Sequence, residues 1–251
     1  MDTPAAARPK AKQITVDQHV IAKSLLKRFS GADGQVEVRD LSTERIVRRP
    51  PKHAVFTVPR HWDQRSEAAT MHDIERRFGI IVASVLRGAT TALDEARHRT
   101  ISEMFALWRA RTHLAHEPMA DLQLAGVTPE RNVSADQMDQ LERYGIIVAD
   151  SKGVVAGRML AGPALMRMLD FHVCELAGKR WGIVRAEAGE FVLPDTFGGN
   201  LVLPISPTCC FVADNPDGVV TREVVGELNA LAKQSARNYM VARCFSACPG
   251  L

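Results

Sequence analysis

The sequence predicts a mixed α+β protein, and three observations lead to this class. Residues 35–40 alternate apolar and polar side chains with the period of two that is typical of a half-buried strand. Residues 68–113 carry apolar side chains three and four apart, which is the spacing of amphipathic helices. Towards the end of the chain, short apolar runs alternate with proline and glycine turns. We therefore expect a short N-terminal β-meander and helix, a central helical bundle, and C-terminal antiparallel β-strands with a final helix packed on the sheet.

The composition fits one folded domain. The chain has 251 residues, of which 46% are hydrophobic, so it is long and apolar enough to bury a substantial core. Residues 1–12 are rich in alanine, proline and basic side chains without apolar periodicity, which predicts a disordered tail. We interpret residues 13–243 as a single α+β domain and residues 244–251 as a C-terminal tail.

The N-terminal elements are predicted as follows. Residues 13–16 form a short strand or an extended lead-in, and Asp17 is a helix N-cap. The helix runs to Phe29 and buries Leu25 and Leu26, and a serine- and glycine-rich turn ends it. The β-meander follows, with strands predicted at residues 35–40, 45–48 and 54–57.

Two long helices are predicted at residues 68–87 and 93–113, with Gly88 ending the first and Asp94 in the first turn of the second. Their short connection predicts that they are antiparallel neighbours. A capping box of Ser134 and Gln137 opens a shorter helix.

The later elements include both strands and helices. A hairpin is predicted from residues 146–148 and 154–156, and Pro163 is placed at the first position of the next helix. Strands are predicted at residues 181–185, 190–193, 201–203 and 209–212. Thr221 is expected to cap a final helix that places Tyr239 inward.

Several short motifs occur in a fixed order between residues 18 and 243. They are Gln18-His19-Val20 with Leu26 and Phe29, Val38-Arg39-Asp40, Asp73-Ile74-Glu75, Arg111-Thr112, Leu193-Pro194-Asp195-Thr196, Pro204-Ile205-Ser206-Pro207, and Asn229. Their order and spacing resemble the bacterial family called domain of unknown function 4238. Ala22 stands where that family usually has proline, and residues 193–196 stand where it often has Ser-Asp-Asn-Pro. The resemblance implies a mixed α/β domain and no assigned reaction.

Four polar residues form the candidate catalytic set: His19, Glu75, Arg111 and Asp195. Histidine titrates near neutral pH and serves as a general base or a metal ligand. Two carboxylates would hold a divalent metal ion, and an arginine would stabilise an anionic transition state. Together they would suit phosphodiester hydrolysis. Gln18 and Asn229 are candidates for binding a substrate or a partner.

A structural role for the same residues competes with catalysis. Gln18 and His19 would brace the first helix, while Glu75 and Arg111 would form a buried ion pair between two helices. The histidines of the His113-Leu-Ala-His116 segment are explained by charge compensation at a helix end.

The sequence therefore supports two hypotheses. The first is an interaction or regulatory module with an unidentified protein partner. The second is a metal-dependent, nuclease-like hydrolase that uses His19 and the acidic residues with a divalent metal ion.

Composition bears on partners and location. The net charge of +3 is far below that of a dedicated nucleic-acid binder, so a nucleic-acid partner has little support. We expect no membrane partner, because no apolar run reaches the roughly 18 residues that a bilayer span requires. The odd number of cysteines, five, and the lack of a secretory apolar segment predict a reduced, cytoplasmic protein.

Overall fold

The fold is mixed α+β, as predicted. A computed structural model describes residues 14–127 and 133–251, so the predicted tail at residues 1–12 lies outside the described residues. The helices are α1 Lys23–Leu26, α2 Gln64–Ser66, α3 His72–Leu86, α4 Glu95–His116, α5 Ala135–Arg143, α6 Gly157–Glu175 and α7 Arg222–Ser235. The strands are β1 Asp17–His19, β2 Val36–Asp40, β3 Ile46–Arg49, β4 Thr57–Pro59, β5 Leu122–Gln123, β6 Val154–Val155, β7 Trp181–Ala186, β8 Leu193–Pro194, β9 Val202–Ser206, β10 Cys209–Ala213, β11 Gly218–Val220 and β12 Tyr239–Ala242.

Two four-stranded sheets form the β-structure of the domain. One has the strand order β11-β7-β10-β9 and the other has the order β3-β2-β12-β8. The pair β11 and β7 is parallel, and the other neighbouring pairs in these sheets are antiparallel. Because β12 lies between β2 and β8, the second sheet joins the N-terminal and C-terminal parts of the chain.

Helices α3, α4 and α6 pack together beside these sheets. Arg77 of α3 pairs with Glu103 of α4, while Glu75 pairs with Arg111, so residue numbers rise along one helix as they fall along the other. The two helices are therefore antiparallel, as their short connection predicts. Across residues 14–127 and 133–251, no helix combines the length and apolar character needed to cross a membrane.

The middle of α4 is part of an aromatic cluster. The Phe197 ring centre lies 4.9 Å from that of Phe105 and 4.1 Å from that of Trp108, and Phe105 also packs on Trp181. Such ring contacts add about 0.5–1.5 kcal/mol each beyond burial of their area. They hold the segment after β8 against the C-terminal half of α4.

The helix predicted to begin at Asp17 begins instead at Lys23, because residues 17–19 form a strand. This strand, β1, pairs antiparallel with β4, and the N–H of Val20 donates to the carbonyl of Phe56 at 3.1 Å. The partner strand lies about forty residues away in sequence, so no local pattern reveals the pairing.

The predicted β-meander has two strands, β2 and β3, rather than three. Residues 54–56 form a 3₁₀ turn, and the strand that follows them leaves the meander to pair with β1. The vacant edge of β2 is taken by β12. The local sequence of residues 54–57 favours a strand, but the tertiary structure decides which strand it pairs with.

Pro163 lies inside α6, which begins at Gly157 rather than at the proline. The N–H of Gly157 donates to Oδ1 of Asp121 at 2.8 Å, so the helix start is satisfied from another segment. Gly162 faces Asp63, where a Cβ atom would stand only 2.4 Å from a carboxylate oxygen. The contact that brings α6 against the start of α2 thus requires glycine at this position.

The hairpin predicted from residues 146–148 and 154–156 is reduced to a turn at residues 150–153 and one antiparallel bridge between Ala149 and Val155, while β6 pairs with β5. The predicted strand at residues 190–193 is reduced to β8, which pairs with β12. Tyr239 lies in β12 and not in the last helix, because α7 ends at Ser235. By contrast, the capping box of Ser134 and Gln137 is present as predicted. Asp94, predicted in the first turn of its helix, is the N-cap instead.

Residues 244–251, which we set apart as a tail, pack against the domain. Phe245 and Cys248 are buried, and the N–H of Phe245 donates to Oε2 of Glu37 at 2.7 Å. This segment therefore belongs to the folded unit.

Candidate ligand-binding site

A buried arginine organises the first group of predicted site residues. The side chain of Arg111 is 2% exposed and forms an ion pair with Glu75 on the neighbouring helix. A second carboxylate, that of Glu67, lies 3.6 Å from the guanidinium, and Nε lies 3.3 Å from the sulfur of Met71. The interhelical ion pair of the structural hypothesis is thus present.

Gln18 extends the same network through Trp62. Its side-chain amide donates to the Trp62 carbonyl at 2.8 Å and accepts from the Trp62 N–H at 3.1 Å. The indole N–H of Trp62 donates to Glu67 at 2.6 Å, and its ring lies 5.8 Å from the guanidinium carbon of Arg111. Both ends of the Gln18 amide are therefore used to hold the chain before α2.

His19 lies near this network but is half-buried. Its Nε2 is 3.2 Å from the carbonyl oxygen of Pro51. Burial lowers the pKa of His19, while the Pro51 contact opposes that shift. The charges of Glu75 and Arg111 also reach the ring and act in opposite directions on its pKa. Burial is the largest of these effects, and it favours the neutral imidazole.

Asn229 is a buried brace in another part of the domain. Its amide nitrogen lies 2.9 Å from the carbonyls of Glu190 and Pro249, and its oxygen accepts from the N–H of Val192 at 3.0 Å. The side chain links α7 to the segment before β8 and to the end of the chain. Its polar atoms are occupied by backbone groups rather than turned outward.

Asp195 makes its contacts away from the Arg111 network. Its two carboxylate oxygens accept from the backbone N–H groups of Arg237 and Asn238, each at 2.8 Å. Burial raises the pKa of Asp195, while these hydrogen bonds act against the rise. Among the described residues no hydrogen bond or ion pair joins Asp195 to His19, Glu75 or Arg111.

The structure thus brings Gln18, His19, Glu75 and Arg111 into one neighbourhood and places Asp195 and Asn229 elsewhere. Within residues 14–127 and 133–251, no group of three histidine, cysteine or acidic side chains is arranged to hold a metal ion. Because Glu75 is ion-paired to Arg111, its carboxylate is already neutralised. These contacts brace the fold and give no support to a divalent metal ion at His19.

A different region offers an open site. A cavity of about 670 Å³ lies between α4 and α6 and is closed on a third side by residues 196–197 and 237. This volume falls within the roughly 300–1,000 Å³ of small-molecule sites. The cavity is lined by Arg109, Thr112, His113, His116, Glu117, Arg167, Met168, Phe171, His172, Thr196, Phe197 and Arg237.

The helical repeat explains the α4 wall. Arg109, Thr112, His113 and His116 are three or four residues apart, so they form a stripe along one side of the helix. On α6, Arg167 and Phe171 are four residues apart and share a face by the same geometry. Two helix faces of basic and aromatic character therefore look onto one cavity.

Asp195 holds the third side in place. Its hydrogen bonds to residues 237 and 238 fix the backbone from which the Arg237 side chain extends. The next residue, Thr196, lines the cavity and donates its hydroxyl hydrogen to the Ser235 carbonyl. Asp195, predicted as a catalytic residue, thus lies behind the cavity as a support for Arg237.

The described cavity lining has more cationic side chains than carboxylates. Glu175 lies 3.4 Å from Arg109 and 2.8 Å from Nδ1 of His172. In the described part of the chain, Arg167 and Arg237 have no carboxylate within the 4.0 Å of an ion pair. Two guanidinium groups are therefore available to an anion.

His116 and Thr112 complete the polar lining. Burial lowers the pKa of His116, and the charge of Arg237 acts in the same direction, while Asp195 opposes it. The hydroxyl oxygen of Thr112 is buried without a hydrogen-bond partner among the described residues. Because this oxygen is shielded from solvent, it is not open to a ligand in the cavity.

The residues that line this cavity differ from the residues predicted from the sequence as catalytic or binding groups. The histidines at 113 and 116 were interpreted as helix-end charges, and Arg109, Arg167, Phe171 and Arg237 were not selected. The available signal was periodicity: polar and basic residues repeat at helical spacing on α4, and Arg167 and Phe171 do so on α6. What brings the two stripes together is the packing of α4 on α6.

Comparison of the chain with models of known protein families, with curated proteins and with solved structures finds no match.

Proposed function

We propose that this protein is a regulatory or interaction module that binds an anionic small molecule in the cavity between α4 and α6. The observation that carries the proposal is the presence of two guanidinium groups without carboxylate partners, those of Arg167 and Arg237, on the wall of one cavity. Arginine presents a planar fork of N–H donors that matches the oxygens of phosphate and carboxylate groups.

The surroundings of the two arginines support the same proposal. Arg109 and the imidazoles of His113, His116 and His172 add further donors. The single acidic side chain in the described lining, Glu117, is exposed and lies 4.0 Å from His113. A cavity with this balance favours an anion over a cation.

The proposal belongs to the binding class of hypothesis rather than to the hydrolase class. The alternative metal-dependent hydrolase relied on Glu75 and Asp195 as free carboxylates. Both instead make contacts within the fold, Glu75 with Arg111 and Asp195 with backbone N–H groups. No contact in the described residues favours the hydrolase.

We also propose that the chain is related to the family called domain of unknown function 4238. The support is the order of its motifs, three of which carry the buried braces Gln18, Arg111 and Asn229. In this proposal the shared motifs maintain the fold, while the ligand is selected by the cavity residues.

Calorimetric titration with inorganic pyrophosphate tests the binding proposal. We expect a Kd below about 1 mM that weakens with added salt, because partly exposed charges are screened. The double variant Arg167→Gln/Arg237→Gln should bind at least about tenfold more weakly, since it loses two charge-assisted contacts.

The matched control is Arg87→Gln, which removes one exposed arginine at the end of α3, outside the cavity lining. It should bind like the wild type. Absence of binding to the wild type, or equal binding by the double variant, would overturn the proposal.

A further inference from the structure

The cavity mouth carries an exposed aromatic ring beside an unpaired cation. Phe171 is 60% exposed, although phenylalanine is usually buried, and it lines the same cavity as Arg167. The two residues are four positions apart on α6 and therefore lie on the same face of the helix. One side of the cavity thus offers an apolar plane next to a guanidinium group.

The opposite wall supplies hydrogen-bonding groups instead of apolar surface. Arg109, His113 and His116 line the cavity from α4. Arg237 adds a second unpaired cation at the third side, where Asp195 holds its backbone. A bound molecule would therefore meet cations, imidazole groups and one exposed ring.

The size of the cavity distinguishes between classes of anion. A single phosphate would fill only a small part of about 670 Å³. A ligand with an anionic end, a polyhydroxyl middle part and a flat ring would use all three kinds of wall. Aromatic side chains bind nucleobases by stacking, and arginine binds phosphate oxygens in pairs.

We infer that the cavity binds a free mononucleotide, with its phosphate at Arg167 and Arg237 and its base stacked on Phe171. This inference rests on the proposed binding of an anion in the same cavity. A free nucleotide fits better than a nucleic-acid strand, because the net charge of the chain is only +3, far below that of a dedicated nucleic-acid binder.

The test compares ligands that share the phosphate but differ in the base. Calorimetric titrations use the 5′-monophosphates of adenosine, guanosine, cytidine and uridine, with ribose 5-phosphate and a short thymidine oligonucleotide as separate arms. We expect at least one mononucleotide to bind about tenfold more tightly than ribose 5-phosphate, because only the nucleotide can stack on Phe171.

Two variants assign the difference to the ring. Phe171→Ala should bind the nucleotide and ribose 5-phosphate about equally, whereas Phe171→Tyr should keep the preference. The matched control is Ile80→Ala, which removes an equally exposed apolar side chain from α3 and should keep the wild-type preference. Phe171 and Ile80 are both exposed, so substitutions at these positions test binding with little effect on folding.

The outcomes separate the two proposals. Equal binding of nucleotides and ribose 5-phosphate by the wild type would overturn the nucleotide inference and leave anion binding intact. The same holds if Phe171→Ala keeps the preference. If only the oligonucleotide binds, both proposals are overturned, because neither pyrophosphate nor a mononucleotide is then a ligand. Failure of every phosphate ligand, pyrophosphate included, would overturn both.

Discussion

Two arginines of the same domain illustrate opposite uses of charge. Arg111 on α4 is buried between two carboxylates and lies near the Trp62 ring, so its charge is fully engaged inside the protein. Arg167 on α6 is exposed, lines a cavity and has no carboxylate partner in the described part of the chain. The first stabilises the packing of helices, whereas the second is available to a ligand.

The difference shows that a polar residue within a short motif is not by itself a sign of a site. Gln18, Glu75 and Arg111 are residue types that are common in functional sites, yet each is satisfied by neighbours. The cavity residues were less conspicuous in the sequence but retain unsatisfied charge. Availability to a ligand depends on what the surrounding elements leave unpaired, and the following predictions test this contrast.

The largest effect is expected from breaking the buried pair. Arg111→Met should lower the free energy of unfolding by about 3 kcal/mol, because it leaves two partly buried carboxylates without their cation. Arg167→Met should change that free energy by less than about 0.5 kcal/mol, since the residue is exposed. Urea unfolding followed by circular dichroism measures both values. A similar loss of unfolding free energy in the two variants would contradict the difference proposed between Arg111 and Arg167.

A second prediction concerns the buried brace at α7. Asn229→Ala should cost about 2 kcal/mol, because it leaves buried backbone groups of Glu190, Val192 and Pro249 without their partner. Pyrophosphate affinity should stay at the wild-type value, measured by calorimetry. The control Asn215→Ala removes an exposed asparagine and should alter neither quantity. Loss of binding in a folded Asn229→Ala protein would show that the residue serves the ligand site.

Asp195 links the fold to the cavity and should affect both properties. Asp195→Asn replaces an acceptor with a donor opposite one of two backbone N–H groups, which should cost about 1 kcal/mol of stability. It should also weaken pyrophosphate binding to about the level of the single variant Arg237→Gln, because it frees the backbone of Arg237. Unaltered pyrophosphate binding by Asp195→Asn would show that Asp195 does not position Arg237 for the ligand.

The smallest effect is expected in the pH dependence of stability. Burial lowers the pKa of His116 from its usual 6.5, so the unfolded chain takes up a proton before the folded protein does. Stability present above pH 6.5 is therefore lost as the pH falls through the folded-state pKa. His116→Gln should lose less unfolding free energy than the wild type between about pH 7.5 and about pH 5.5. An equal loss would mean that His116 does not contribute. His19 and His98, whose pKa values are also lowered by burial, remain in both proteins.

The sequence predicted most elements that depend on local signals. The strands β2, β3, β7 and β10, the long helices α3 and α4, and the capping box of Ser134 follow from periodicity and from side chains that satisfy nearby N–H groups. The sequence-based prediction was wrong where pairing with a distant segment determines the secondary structure. Residues 17–19 became a strand because β4 pairs with them, and Tyr239 joined a strand because β2 and β8 flank it.

The candidate site shows the same division. The sequence by itself determined the α+β class and supported an ion pair between Glu75 and Arg111 as one of two interpretations of these residues. Only the tertiary structure decided that Arg111 is neutralised, that Asp195 supports Arg237, and that Phe171 and Arg167 face the α4 stripe across one cavity. The physical reason is that residue type fixes which interactions a side chain can make, whereas packing of distant elements fixes which of them are already satisfied.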